Sequence, residues 1–355
     1  MSRASEQPSG WRWGPDRPAA VDAYGRHAYL KKWKEEDGSG GRRVVRDEGA
    51  TRNLVTQNVR GFTEVSRRKW LSAWRRTLVR NRPMAWLIQE THMSSQEEAD
   101  WARQEWSRVW GTQSRDGDKP LSYWSIHTAK AGGVAILLTP QEAKVATPWQ
   151  QSKWTHRVIA VKIGDLVVMN VYAPNDPAGR ERFFKGLTDW PVEENLTIVA
   201  GDFNSVQSPV LDRLGGQRTG KPESAELERL VRTWRLEDAR ILEEAADMDA
   251  EQPEPTNFFP FWAPEAASRL DRFYVPQTWT AQVQYVAVDE PEAASDHQRV
   301  SLHWKDTSLP SRNGQEQRRL QYPIRSAHQN RHIWRSWKNS SMTESAGQPR
   351  LQLGT

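Results

Sequence analysis

NLTIVAGDFN, residues 195–204, is the stretch from which the fold is read. Leu196, Ile198, Val199 and Ala200 make a short, nearly continuous apolar run, the pattern of a strand covered on both faces. The run ends in Gly201 and then in Asp202 and Asn204, polar residues that such a strand does not need for packing. The same pattern recurs on either side. NLVTQNV (53–59) carries Asn58, MAWLIQE (84–90) ends on Glu90, and LVVMNVYAP (166–174) carries Tyr172 with Asn175 just beyond. GGVAILL (132–138) and RVIAVKI (157–163) are further buried strands, the second joined to 166–174 by the two-residue hairpin signal Gly164-Asp165. SRLDRFYV (268–275) carries Asp271, AQVQYVAV (281–288) follows it, and HQRVSLHW (297–304) comes directly after Ser295 and Asp296.

Helical periods lie between these strands. Ser94 and Ser95 stand three residues before Glu97 and Glu98, a capping-box pattern opening a helix with Ala99, Ala102, Trp106 and Trp110 on one side and Gly111 at its end. Leu227, Leu230, Val231 and Trp234 give another helix near 223–235. Trp70, Leu71, Trp74 and Leu78 recur at helical spacing among eight basic residues between Arg60 and Arg82, against the single acid Glu64. That helix has an apolar seam and a basic outer face, which either keeps it solvated or follows a nucleic-acid backbone. Two β-rich halves, each with helices, read as a sandwich of two sheets covered on the outside, in one domain over 51–305.

Composition narrows the chemistry. The 355 residues include no cysteine, which excludes disulfide scaffolds, zinc fingers and thiol nucleophiles. No apolar run approaches the ~20 residues of a membrane helix, and the polar, Gly- and Pro-broken start does not resemble a secretion signal. The expectation is an intracellular protein with no membrane partner. The formal charge is +5, but residues 1–50 carry +2 and 305–355 carry +6, leaving −3 for the middle. Residues 1–50 are therefore read as a disordered extension and 306–355 as a basic, disordered tail. Tryptophan is in excess, at 19 residues. Trp70, Trp74, Trp86, Trp106, Trp110, Trp234 and Trp304 fall on apolar faces and are assigned to the core.

One polar residue after a strand is ordinary, but loops at one rim of a sandwich converge, so repetition builds a site. Asn58, Glu90, Tyr172, Asn175, Asp202, Asn204, Asp271, Asp296 and His297 then supply oxygen donors and one imidazole. Such a set suits Mg²⁺ or Mn²⁺ rather than zinc.

In this order, TQNVRGF, WLIQETH, VMNVYAPND, IVAGDFNSV, SRLDRFYV and ASDHQRV resemble the motifs of the endonuclease/exonuclease/phosphatase superfamily. Within it the chain is most similar to the apurinic-endonuclease-like nucleases of LINE-type (non-LTR) retrotransposons. The resemblance spans residues 52–304 and implies an α/β fold, a four-layered α/β sandwich of two packed mixed sheets flanked by helices. It also implies a Mg²⁺-dependent endonuclease, with Mn²⁺ as the other candidate ion, that nicks DNA to leave a 3′ hydroxyl and a 5′ phosphate. Such an enzyme would work in the nucleus if it acts on genomic DNA.

Carried over residue by residue, Glu90 would be the main metal carboxylate, with Asn58 beside it and Asp296 in the same shell. Asp202 and Asn204 would orient and deprotonate the attacking water and hold the phosphate. Tyr172 would hydrogen-bond a phosphate oxygen, with Asn175 nearby. His297 would contact the scissile phosphate, oriented by Asp271. Thr256 and Ser268 would flank the substrate groove, with Ser295 matching the serine before the Asp-His pair. Trp262, in the loop between Thr256 and Ser268, is the candidate for contact with an unstacked base.

The chain departs from the pattern at Arg60, where repair-type apurinic endonucleases carry an aspartate. This argues against a dedicated repair enzyme and places a cation that either binds phosphate or competes with the ion. Nothing after residue 305 reads as a polymerase, so a reverse transcriptase module is not expected in this chain. Two alternatives stay open: a phosphatase of inositol phosphates or lipids, and a decayed element that binds DNA without cutting it. The Trp-Cys-Asp-Arg signature of the inositol branch is absent, because Leu270 precedes Asp271 and the chain has no cysteine.

Overall fold

In the second half of the chain the Gly164-Asp165 turn forms as its sequence predicts, with Gly164 at a φ of +62°. The computed structural model describes residues 51–76, 82–112, 119–209, 211–215, 223–246, 258–263, 266–291 and 295–306. In chain order these form β1 (Thr51–Asn58), α1 (Glu64–Arg76), β2 (Ala85–Gln89), α2 (Gln96–Val109), β3 (Ser122–Trp124), β4 (Val134–Leu138), α3 (Pro140–Ala143) and β5 (Ala146–Pro148). Next come β6 (Val158–Ile163), β7 (Leu166–Tyr172), α4 (Pro177–Thr188), β8 (Thr197–Asp202), β9 (Arg213–Gly215) and α5 (Ala225–Thr233). The described elements end with β10 (Leu236–Asp238), α6 (Ala239–Ala246), β11 (Phe261–Ala263), β12 (Ala266–Ser268), β13 (Asp271–Pro276), β14 (Val283–Asp289) and β15 (Arg299–Lys305). The two terminal segments expected to be disordered lie outside the described residues, apart from Asp306.

One six-stranded sheet runs β14-β15-β1-β2-β4-β3 and a second runs β10-β13-β8-β7-β6-β5. Each is mixed, with one parallel pair near its centre, β1 with β2 and β7 with β8. A third sheet, β11-β12-β9, was not expected from the sequence, because strands of three residues are too short to show a period. The large sheets pack face to face through Leu54, Leu87 and Ile136 on one side and Ile159, Val168, Ile198 and Phe273 on the other. Helices α1 and α2 cover the outer face of the first through Trp70, Trp74 and Trp106, packed with Trp86 of β2. Helices α4 and α5 cover the second through Phe184, Leu187, Leu227 and Leu230. Four layers result, helix, sheet, sheet, helix, each apolar face buried against the next.

The tryptophan excess belongs mainly to the first of these interfaces. Trp86 meets Trp74 and Trp106 edge to face, with ring centroids 5.0 and 4.9 Å apart. Of the seven tryptophans assigned to the core, six are buried, and Trp110 is partly exposed under the Arg82 guanidinium.

The helix ends follow their local chemistry. Ser95 caps α2 by accepting from the Glu98 amide, while the Glu98 carboxylate reaches back to the amide of Ser94, at 2.7 Å. Asp176 and Pro177 open α4, a helix the sequence reading did not pick out. On α1, Arg67 is buried and pairs with Glu105 of α2 at 3.0 Å, and Arg68 pairs with Glu64. Part of the basic face is therefore neutralised within the fold. No helix among the described residues is long and apolar enough to cross a membrane.

Candidate active site

The strand register gathers the polar residues before any side chain is considered. Asp202 is paired with Tyr172 on one side and Asp271 on the other, so β7, β8 and β13 present a row of three. In the facing sheet, Asn58 lies opposite Gln89, the residue before Glu90. Gly201 is required where it stands: at a φ of +140°, a Cβ would lie 1.9 Å from the Val171 carbonyl oxygen. Non-glycine residues with positive φ also collect here, at Arg60, Glu90, His92 and Asn204. Each such residue costs about 1–3 kcal/mol, a strain that concentrates at functional sites.

Hydrogen bonds connect the two sheets at this rim. The Asn58 amide donates to Glu90 Oε1 and to Asp202 Oδ2, both at 2.9 Å. Its Oδ1 accepts from the Arg60 backbone at 2.9 Å. Asp202 Oδ1 accepts from the Asn204 amide at 2.9 Å, and the Asn204 side chain donates to the Ala173 carbonyl. His297 Nδ1 donates to Asp271 at 2.7 Å, and its Nε2 lies 3.9 Å from Asp202. Ser295 fastens this loop to β1, donating to the Asn58 carbonyl at 2.8 Å and accepting from the His297 amide at 3.0 Å.

Burial sorts the ionisable groups into different states. Asp202 is buried, which raises its pKa to about 6; Asp271 adds to the rise, and His297 and Asn58 only partly offset it. For His297 burial opposes the charge, but Asp271 and Asp202 prevail and hold the imidazolium up to about 10. Burial also pushes against an ionised Glu90, yet hydrogen bonds from Asn58 and Tyr172 and the charge of His297 keep it below the usual carboxylate range. Burial and then the Glu90 charge raise the Tyr172 phenol, so it stays a protonated donor. One acceptor near neutrality, one fixed anion and two fixed donors are the parts of an acid-base site.

A divalent cation fits this donor set at Glu90. Ligand atoms of Asp202, Asp271 and His297 lie within 4.8 Å of one another, but His297 Nδ1 is spent on Asp271 and the ring is held protonated, so it offers no lone pair. Glu90 is ionised and partly exposed, and oxygen ligation of that kind suits a hard ion. Asn58 is hydrogen-bonded directly to it. Asp296, expected in the same shell, instead pairs with the Arg60 guanidinium at 2.9 Å. Arg60 takes up its charge.

The remaining expected residues divide. Asn175 is exposed in the loop after Tyr172, and Ser268 is buried at the end of β12. Thr256 lies outside the described residues. Trp262 departs from its expected place: it is 6% exposed among Phe258, Phe259 and Ala267, with its indole N–H on the Phe259 carbonyl at 2.7 Å. The β11–β12 hairpin folds that ring inward, leaving no open face for a base. Sequence reading missed three supports. Gln89 and Asn170 bond at 2.7 Å beneath the site and tie the two sheets together, a pairing hinted at only by polar letters inside apolar strands. Buried Arg180 clamps the loop carbonyls of Asn175 and Asn204, at 3.2 and 2.7 Å. Arg157 lies over the Tyr172 ring, 4.9 Å from its centroid.

Comparison with known proteins identifies the family and the fold. A sequence profile of the endonuclease/exonuclease/phosphatase family matches residues 55–297. Similar solved structures include an AP endonuclease from Leishmania major, 15% identical, with a TM-score of 0.53 over 72% of this chain and 88% of that one. A 3′ phosphatase from Neisseria, bound to a product DNA hairpin, is 19% identical, with a TM-score of 0.51 over 72% of this chain and 100% of the other. Comparison with curated protein sequences returns no match.

Proposed function

The chain belongs to the endonuclease/exonuclease/phosphatase family, and from that premise we propose that it is a Mg²⁺-dependent endonuclease of retrotransposon type that nicks DNA. The observation that carries this reading is the bonded line Glu90–Asn58–Asp202, with His297 held by Asp271 beside it. Asp202 is ionised above about pH 6 and takes a proton from the attacking water. His297 stays charged and Tyr172 stays protonated, so both face the growing negative charge on the phosphoryl oxygens as donors that need no rearrangement. Asn204, fixed by its own backbone bond to Asp202, is the third donor of that cradle.

Glu90, with Asn58 beside it, would hold the divalent ion, which supplies Lewis acidity and stabilises the leaving 3′ oxygen. Mn²⁺ is expected to substitute for Mg²⁺ on the same oxygen ligands. As the P–O bond to water forms and the bond to the 3′ oxygen breaks, the products are a 3′ hydroxyl and a 5′ phosphate. Arg60, Asn175, Ser268 and Ser295 border the groove for the DNA backbone, Ser295 by holding the His297 loop, and Thr256 is proposed with them. Acting on genomic DNA would place the work in the nucleus.

Supercoiled plasmid tests the reading. The wild type with Mg²⁺ should convert it to nicked circles whose ends a polymerase extends directly, and EDTA or Asp202→Ala should abolish the conversion. Nicking that survives both would sink the mechanism. Intact plasmid together with phosphate release from inositol polyphosphates would move the chain to the phosphatase branch.

A further inference from the structure

Arg60 is tied into the candidate site at three points. Its amide donates to Asn58 Oδ1 at 2.9 Å, the next amide, of Gly61, donates to the Glu90 carbonyl at 2.8 Å, and its guanidinium reaches Asp296 Oδ2 at 2.9 Å. The backbone turns at Arg60 with a φ of +48°, a costly conformation for an arginine that those bonds hold in place. Asp296 is anchored as well: its carbonyl accepts from the Trp262 amide at 3.2 Å, and Ser295 before it is fastened to the Asn58 carbonyl. Among the described residues, Arg60 is the only Lys or Arg within ion-pair distance of Asp296. Arg60 is exposed and Asp296 partly so, and ion pairs of that kind add little to stability. What this pair changes is the charge left for an ion.

The charged groups give that change a size. With their carboxylates ionised, Glu90, Asp202, Asp271 and Asp296 carry four negative charges and His297 and Arg60 carry two positive ones, leaving −2. One divalent ion neutralises that remainder. His92 Nε2, 3.3 Å from Glu90, adds a further positive charge only when protonated. Without Arg60 the remainder would be −3, and with an acid in its place −4, enough for two ions.

We propose that Arg60 is a built-in cation that stands in for a second divalent ion at Asp296, so that the site binds one ion, at Glu90. This rests on the metal-dependent nuclease reading and fixes its number of ions. A guanidinium stays charged at any working pH and cannot diffuse away, so Asp296 is neutralised whatever the ion concentration.

The test is Mn²⁺ binding to the full chain without DNA, with free Mn²⁺ followed by its EPR signal. The wild type should bind one ion that Glu90→Gln removes. Arg60→Asp should bind two, the first about tenfold more tightly because a nearby positive charge has become negative. Arg60→Lys keeps the charge and should bind one. Aspartate and asparagine both suit the left-handed backbone at this position, so Arg60→Asn supplies a second variant, which should tighten the first ion by a smaller factor. Adding Asp296→Asn to Arg60→Asp should remove the second ion and so locate it. A wild type that binds a second ion sensitive to Asp296→Asn, an Arg60→Asp variant that still binds one, or a second ion that survives Asp296→Asn overturns the stand-in and leaves the nuclease reading intact. A wild type that binds no ion overturns both.

Discussion

Two buried clusters of carboxylates meet at β13, and only one of them is balanced in charge. In the first, Asp212 and Asp238 face Arg269 and Arg272, with Arg269 on Asp212 at 2.8 Å and on Asp238 at 2.6 Å, and Arg272 on Asp212 at 2.8 Å. In the second, Asp202 and Asp271 flank one imidazolium, His297, and Glu90 joins them through Asn58, with His92 Nε2 3.3 Å from its other carboxylate oxygen. Strand alternation sends Asp271 and Arg272, adjacent in sequence, to opposite sides of the sheet. The pairing has opposite consequences on those sides. Burial would raise Asp212, but Arg269 and Arg272 outweigh it and hold this carboxylate below its ordinary range. Asp202, equally buried but short of cations, rises to about 6. A balanced cluster holds its protons fixed and serves the fold. The unbalanced one leaves an acceptor near neutrality, and the proposed activity is assigned to it, where positive charge is short.

Exchanging one carboxylate for an amide in each cluster should separate the two roles. Asp202→Asn removes the proton acceptor and should lower nicking by about 10³-fold, while thermal stability stays level or rises because a buried, underpaired charge is lost. Asp212→Asn leaves two buried guanidiniums sharing one carboxylate, and should cost about 3–5 kcal/mol of stability, a fall in Tm on the order of 10 °C. The activity of its folded fraction should remain near normal. Loss of stability by the first variant, or loss of kcat by the folded second, would show that the clusters are not divided in this way.

The next effect is one of sign. Asp202 has a folded pKa of about 6, above its unfolded value of 3.8, so the folded state holds the proton more tightly. Its contribution is favourable at low pH and is lost as pH rises through about 6. Asp212 is lowered from 3.8, so its contribution is present above that value and is lost as pH falls through its folded pKa. Chemical denaturation in EDTA should therefore show Asp202→Asn gaining on the wild type between about pH 4 and 6, by at most about 1.4 kcal/mol per unit. Asp212→Asn should recover toward the wild type as pH falls below about 4. Parallel pH profiles for the two variants would break the comparison.

The sequence disclosed one cluster much better than the other, for a physical reason. Asn58, Glu90, Tyr172 and Asp202 end or follow an apolar strand, and Asp271 and His297 open or precede one, so their polarity contrasts with the adjoining run, and the sandwich brings those ends to one rim. Asp212 lies in an irregular loop before a three-residue strand, where a polar letter carries no contrast. Arg157 and Arg180 act on backbone carbonyls, which every residue possesses, so no pairing of letters could reveal them. Trp262 was misplaced because a hairpin of two three-residue strands, invisible to periodicity, turns its ring inward. The layers were legible because their strands and most helices are long enough for a period to repeat.

The smallest effect separates two tyrosines of similar burial and different company. Tyr274 accepts from Arg272 at 3.2 Å inside the balanced cluster, where burial raises its pKa and Arg272 opposes the rise. Tyr172 has its hydroxyl on Glu90 in the unbalanced one, and there both burial and the Glu90 charge raise it. Tyr274→Phe removes one acceptor from a guanidinium that retains its carboxylates, so it should cost about 1 kcal/mol of stability and leave kcat unchanged. Tyr172→Phe removes a donor aimed at developing charge and should lower kcat by about 10–100-fold with little change in Tm. The two substitutions delete the same atom, so melting curves and nicking rates measured side by side isolate the surroundings. Equal losses of kcat would mean that charge balance does not distinguish the clusters. Unequal losses, with stability moving the other way, would tie catalysis to the cluster that lacks its arginines.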